Sequence, residues 1–315
     1  MKPIFGETAT LHIQHLKAKN DSMQQHMAAW RPTAALLIGA TFWGVSWYPM
    51  RLLENAGLSG LWLNFLLYGA ATMAGILLFW RDLPALKFRP ALIILIALTS
   101  GWANLAFILA ILNGNVMRVL LLFYVAPIWA VLWAWLLLKE PIHRSTLSVL
   151  GLALGGAIIM LWQPGSGFPW PRDATDWLAL SSGFAFATSN TLVRLAGNVP
   201  VSMKSLAVWV GAFALAAVLI LFIPQPTPAI NVVTVTGTIA LGIIGMITMT
   251  WLVQFGVSHL PVHRSAIILL FELVAGALSQ QLLTAEIMTS TEWLGGSMVI
   301  VAAALSAWYA RNEQT

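Results

Sequence analysis

The sequence predicts an all-α polytopic membrane protein of ten transmembrane helices, arranged as two inverted five-helix repeats. Three observations carry this expectation. Hydrophobic side chains make up 59% of the 315 residues and charged ones only 9%, with a mean hydropathy of +0.82, whereas a water-soluble globule is about 25% charged. Apolar runs of spanning length recur along the chain: at about 20 residues per crossing, ten crossings take about 200 residues and leave the rest for turns and tails. The second half then repeats the first with its charges moved to the opposite face.

In chain order, the polar stretch 1–29 carries Lys2, His12, His15, Lys17, Lys19 and His26. It lacks the apolar run of a signal peptide and is expected to be a soluble cytoplasmic tail. Ten apolar windows follow, predicted as α1 (33–53), α2 (59–80), α3 (90–112), α4 (117–138), α5 (146–162), α6 (176–196), α7 (202–223), α8 (232–258), α9 (263–284) and α10 (291–310). The punctuation between them is turn chemistry, from Glu54 to Gly57, Asp82 to Pro90, Asn113 to Asn115, Glu140 to Arg144, Gly197 to Pro200, Pro224 to Pro228 and Leu260 to Pro261. A Pro/Gly-rich stretch runs from Gln163 to Asp173. The organisation expected is a cytoplasmic tail (1–29), a first repeat (30–162), a periplasmic linker (163–175), a second repeat (176–310) and a cytoplasmic tail (311–315). The connections leave no room for a soluble domain.

Positive charge sets the topology. With the N-terminus inside, Lys2, Lys17, Lys19, Arg31, Arg81, Lys87, Arg89, Lys139, Arg144, Arg194, Lys204, Arg264 and Arg311 collect on the inner face, 13 of the 16 Lys and Arg, and only Arg51, Arg118 and Arg172 fall outside. Both termini then lie in the cytoplasm. A shift of 146 residues lays Arg118 on Arg264 and the Lys139-Glu140-Pro141 end of α4 on Ala285-Glu286-Ile287, while a shift of 143 lays Gly44-Val45-Ser46 on Ala187-Thr188-Ser189. Five helices per repeat is an odd number, so the halves must run in opposite directions. The loop after α4 accordingly holds Lys139 and Arg144, and the loop after α9 holds Glu286 and Glu292. Inverted repeats are the mark of a transporter whose substrate binds near the midplane, where the halves meet.

Other classes are excluded or disfavoured. The chain has no Cys, which removes disulfides and thiolate metal sites, and no metal or cofactor is expected. Its pI of about 9.8 comes from singly scattered bases and not from a patch, so nucleic acid is not an expected partner. Gly57-Leu58-Ser59-Gly60 resembles the GxSG of intramembrane serine proteases. Ser59, however, lies at the outer end of α2, and all six His (12, 15, 26, 143, 259, 263) lie on the inner side, about 30 Å away across the bilayer. An enzyme is therefore not expected.

Phe42-Trp43-Gly44 in α1, Leu138 to Pro141 at the end of α4 and Leu270-Phe271-Glu272-Leu273 in α9, set in five plus five inverted helices, resemble the drug/metabolite transporter superfamily, EamA-type branch, over about residues 33–310. The Trp-rich Phe42 to Met50 segment is similar to the bacterial aromatic amino acid exporters. The resemblance implies a cavity lined by α1, α3, α4, α6, α8 and α9 and export of amino acids across the bacterial inner membrane. Where the branch has Glu-Pro, α9 has Glu272-Leu273, and α4 keeps Pro127 but has Ala126 in place of the acid.

Within that frame Glu272 is the one charge well inside a predicted span, about 13 Å into α9. A buried carboxylate must face a cavity or a partner, so it is read as the ligand of a substrate ammonium. Asn104, Tyr124, Ser189, Asn190 and Gln254 are the uncharged polar candidates, and Trp43, Trp102 and Trp251 the ring platforms; Trp251 and Gln254 share one face of α8. Gly44, Pro49 and Pro127 are the expected hinge or gating positions, since Pro and Gly weaken a helix at membrane depth. Gly151 and Gly155 with Gly295 and Gly296 are read as close-packing positions of α5 and α10. The polar stripe Asn64, Tyr68 and Thr72 on α2 is assigned to helix packing. The expected partners are thus an amino acid and the lipid bilayer, with the protein acting as a monomer. Efflux of aromatic or quaternary cations is the competing substrate, because Glu272 with Trp faces is also a cation-binding set.

Overall fold

A computed structural model describes residues 30–312 except Ser59, 163–169 and Glu286. The N-terminal tail, most of the Pro/Gly-rich linker, the final residues 313–315 and the protease-like Ser59 lie outside the described residues. Long helices occur where the apolar windows put them. They are α1 (30–55, interrupted at Ser46), α2 (Gly60–Leu78), α3 (Pro90–Asn113), α4 (Val116–Leu136), α5 (Arg144–Leu161), α6 (Ala174–Leu195), α7 (Val201–Phe222), α8 (Val232–His259), α9 (Val262–Leu283) and α10 (Ser290–Asn312). Eight of them, all but α1 and α6, are long and apolar enough to cross a membrane. The structure is that of a polytopic all-helical membrane protein, with no strand among the described residues. α1 is broken into two short pieces, and α6 carries Asp176, Arg194 and a run of Ser, Thr and Asn, so its mean hydropathy is lower.

The helices terminate for local reasons. Asn115 accepts from the Arg118 amide and caps α4, Asp173 does the same for α6 through the Asp176 amide, and Asn231 with Thr234 forms a reciprocal box at the start of α8. Pro200 and Pro261 stand immediately before α7 and α9, where a missing N–H costs nothing.

Packing follows a two-fold pattern. α2 packs on α7, α4 on α9 and α5 on α10; α3 meets α7 as α8 meets α2, and α4 meets α5 as α9 meets α10. α4 lies on α6, and α1 lies correspondingly on α9, where Gly44 abuts the Glu272 carbonyl and the Trp47 indole donates to Ser279 at 2.8 Å. Exchanging each helix with the one five later maps these contacts onto one another. The close crossings use glycine: a Cβ on Gly156 would sit 2.6 Å from the Gly295 carbonyl. The closest α5–α10 approach is thus made by Gly156 and Gly295, with a Cβ on Gly155 facing Met298 of α10 at 3.4 Å, while Gly296 faces Val274 of α9 and Gly151 meets nothing within 4 Å among the described residues. As the α2 stripe required, Asn64, Tyr68 and Thr72 are buried, and the Tyr68 hydroxyl donates to Asn104 at 2.8 Å.

Candidate functional site

Two of the long helices break at matching places. α4 consists of Val116–Phe123 and Ala126–Leu136, separated at Tyr124 and Val125; α9 consists of Val262–Leu269 and Phe271–Leu283, separated at Leu270. The two breaks are related by the same 146-residue shift that relates Arg118 to Arg264. In α4 the cause is Pro127, which has no N–H for the carbonyl four residues earlier and crowds it. The freed Phe123 carbonyl points at Gly183 of α6, where a Cβ would collide with it. In α9 no proline is involved: the Leu270 amide bonds to the Ile267 carbonyl at 3.2 Å and the Leu273 amide to the Leu270 carbonyl at 3.1 Å, a local tightening to three-residue turns. α1 breaks at Ser46, whose hydroxyl donates to the Trp43 carbonyl at 2.7 Å. Here Pro49 withholds the N–H from the Val45 carbonyl. All three expected hinge residues, Gly44, Pro49 and Pro127, thus lie at or beside an observed break.

A narrow cavity lies between the breaks of α4 and α9, walled on its third side by α6. α4 contributes Phe123, Tyr124, Pro127 and Ala130; α6 contributes Phe186, Ala187 and Asn190; α9 contributes Val262, Ser265, Leu269 and Glu272. About 20 Å³ is open to water centres, which is room for a water but not for an amino acid. Tyr124 and Glu272 face the same cavity from α4 and α9. Phe123 contacts Phe186 with ring centroids 5.5 Å apart and Tyr124 at 5.2 Å, so the carboxyl stands beside three aromatic rings. The lining contains no Lys, Arg or His.

Of the residues expected from sequence, Tyr124, Asn190, Glu272 and Pro127 meet in this cavity, and the others stand elsewhere. Trp43 packs partly buried against the core. Trp102 is 42% exposed and its indole donates to Ser181 of α6. Asn104 is used twice, accepting from Tyr68 and donating to the Ser100 carbonyl. Ser189 is buried next to Asn190 without lining the cavity. On α8, Trp251 stacks on Phe255 at 5.4 Å and Gln254 is buried away from the lining, so the ring and amide that share a helix face do not share this cavity. Residues not foreseen are Phe123, Phe186 and Ser265. Helical spacing held the signal: Phe186 precedes Asn190 by four, and Ser265 and Leu269 precede Glu272 by seven and three.

Residues 31–162 match the EamA-like transporter family. The α1–α5 half is EamA-like. That half of the chain is therefore similar to membrane transporters of the drug and metabolite type. Among curated proteins none matches significantly. One solved crystal structure is similar over 89% of this chain and 98% of its own, with a TM-score of 0.72 at 16% identity. At that identity the likeness establishes a shared fold. The EamA-like half contributes the α4 side of the cavity, including the Tyr124 break, and the α6 and α9 walls come from beyond the matched residues.

Proposed function

We propose that the protein is an alternating-access carrier of the bacterial inner membrane, with both termini cytoplasmic, that exports neutral amino acids, aromatic ones preferred, from the cytoplasm. The observation that carries this reading is the cavity at the paired breaks of α4 and α9, with one carboxylate, Glu272, and no basic side chain. The two-fold pattern of helix contacts supports two inverted repeats, 30–162 and 176–310, meeting there. Broken helices at a repeat interface are where carriers bind their cargo, because freed backbone groups and inward side chains converge.

The chemistry of the lining selects the substrate class. A phosphate or a dicarboxylate would bring negative charge next to Glu272 with no base to match it, at a large desolvation cost. A zwitterion is matched: its ammonium meets Glu272, its carboxylate takes donors from Asn190 and Ser265, and its side chain lies among Phe123, Tyr124 and Phe186. The same carboxylate and rings also fit an aromatic or quaternary cation, which is the second reading.

Counterflow of labelled phenylalanine in proteoliposomes tests both. The expected result is uptake driven by internal unlabelled aromatic amino acids, reduced about 10- to 100-fold in Glu272→Gln, as befits a lost charged hydrogen bond. No counterflow with any amino acid, together with uptake of a quaternary ammonium, would replace the first reading by the second.

A further inference from the structure

Outside the cavity, two charged networks join elements of the first half to elements of the second, one at each end of α4. At the end near residue 118, the Arg118 guanidinium grips Asp176 of α6 through Nε, at 2.9 Å from Oδ1 and 2.8 Å from Oδ2, and through Nη2 at 2.7 Å from Oδ2. The Arg172 amide adds a bond to Oδ2 at 2.9 Å, and the Trp170 carbonyl accepts from Arg118. Both side chains are largely buried, at 14% and 4% exposure. A multidentate, desolvated pair of this kind is strong.

The opposite end is built differently. Lys139 adopts the left-handed backbone region, at a φ of 57°, which turns Glu140 back from the end of α4 towards the start of α9. Its carboxylate accepts from the Val262 amide at 3.2 Å and from His263 Nδ1 at 3.0 Å, and Arg194 of α6 stands off at 4.0 Å. His263 Nε2 is buried without a hydrogen-bond partner among the described residues, so the ring makes one bond to the acid, through Nδ1. Arg194 turns to the Ser258 carbonyl instead, at 2.5 Å, and Lys204 bonds Gly197 O and Ser258 Oγ at 3.0 and 3.1 Å. Glu140 therefore holds one amide and one imidazole with a distant guanidinium, against the fork-like grip at Asp176. This network also adjoins the cavity directly, because Val262, whose amide Glu140 holds, is itself a lining residue. Asp176 is ten residues before Phe186 on α6, about 15 Å away along the helix.

We propose that these networks are two unequal gates, and that the Glu140 gate is the weaker, so the cavity opens first and more often towards the face that carries Lys139, Arg144, Arg194 and Lys204. Under the positive-inside assignment that face is the cytoplasm, where an exporter must load. The proposal rests on the alternating-access reading and adds to it which face opens readily and which residues decide.

The absence of native Cys makes the test direct. Ala266→Cys introduces a single thiol in the cavity wall, and its reaction with a membrane-impermeant maleimide is timed in right-side-out and inside-out vesicles, with detergent-solubilised protein giving the total reactive thiol. The expected result is reaction from the Glu140 face faster by on the order of fivefold than from the Arg118 face. Glu140→Gln should widen that ratio and Asp176→Asn narrow or reverse it. Equal rates from the two faces, or ratios unmoved by both substitutions while the thiol reacts from each side, would overturn the unequal gates and leave alternating access standing. A thiol that reacts from only one face in every variant, Asp176→Asn included, would overturn alternating access itself.

Discussion

Gly44→Ala places the closest contact of α1 with the carboxylate-bearing helix under a defined strain. A Cβ at residue 44 would lie 2.5 Å from the Glu272 carbonyl oxygen, 2.8 Å from Ala275 Cβ and 2.8 Å from the Gly276 amide nitrogen. Heavy atoms at rest stand about 3.5–4.0 Å apart, so α1 must retreat by about 1 Å. Two of the three obstacles are backbone and cannot rotate away. Overpacking of this kind costs about 1–3 kcal/mol, set against a gain of about 1 kcal/mol from replacing helical Gly by Ala. Gly151→Ala is the matched control, because it has the same propensity gain and nothing within 4 Å of the new methyl. The difference between the two variants therefore isolates the packing term. At roughly 2–4 °C per kcal/mol, Gly44→Ala should unfold several degrees below Gly151→Ala, measured by size-exclusion after heating in detergent. Phenylalanine exchange at a temperature where both are folded should fall only in Gly44→Ala, since the contact pried apart is the one against the Glu272 backbone. Equal unfolding temperatures for the two variants would refute the contact, and equal exchange would refute its link to the site.

Pro127→Ala returns a donor to the Phe123 carbonyl and removes the cause of the α4 break; unfolding temperature at or above the parent with exchange turnover reduced about tenfold is expected, and unchanged turnover in proteoliposomes would show that the break is not a moving part. Tyr124→Phe removes a hydroxyl from the cavity that Glu272 lines, worth about 1 kcal/mol if it meets the substrate; a KM raised about fivefold with little change in thermal stability is expected, and an unchanged KM would place the hydroxyl outside the binding step.

Helix positions were legible because bilayer crossings are long, apolar and punctuated by turn residues, which is the strongest signal a sequence carries. Pro127 and Pro49 were equally legible as breakers, since a missing N–H acts locally and needs no partner to be known. Glu272 was legible for the opposite reason: a carboxylate in an apolar helix demands some polar or aqueous neighbour wherever the fold puts it. The tryptophans were not. Trp102 and Trp251 have faces that satisfy themselves locally, on Ser181 and on Phe255, and nothing in residue type distinguishes a ring that waits for substrate from one that has found a neighbour. Of the rings that line the cavity, Phe123 and Phe186, unlike Tyr124, lack a polar atom and so were indistinguishable from ordinary core. The partnership of Arg118 with Asp176 was likewise invisible, because 58 residues separate the two and only the fold of α4 against α6 brings them together.

The departures from symmetry bear most directly on how such a carrier would move. α1 breaks at Ser46 under the influence of Pro49, whereas the equivalent position of α6 holds Leu192 and that helix runs unbroken from Ala174 to Leu195. α6 is thus a rigid wall presenting Phe186 and Asn190, with α4 and α9 hinged on either side of it. α8 contains a seven-residue π segment, Ala240–Met246, and its counterpart stretch in α3 is ordinary α-helix. Arg118 finds an acid at the start of α6, while its counterpart Arg264 lies over the Tyr309 ring at 5.4 Å. Two identical halves would have given equal barriers at the two faces. Here the breakers and the charge pairs differ between halves, and on the proposed alternating-access reading a cavity too small for an amino acid opens by moving α4 and α9 about their breaks against α6. On that reading the face at which those helices are held least firmly is the face from which the substrate enters.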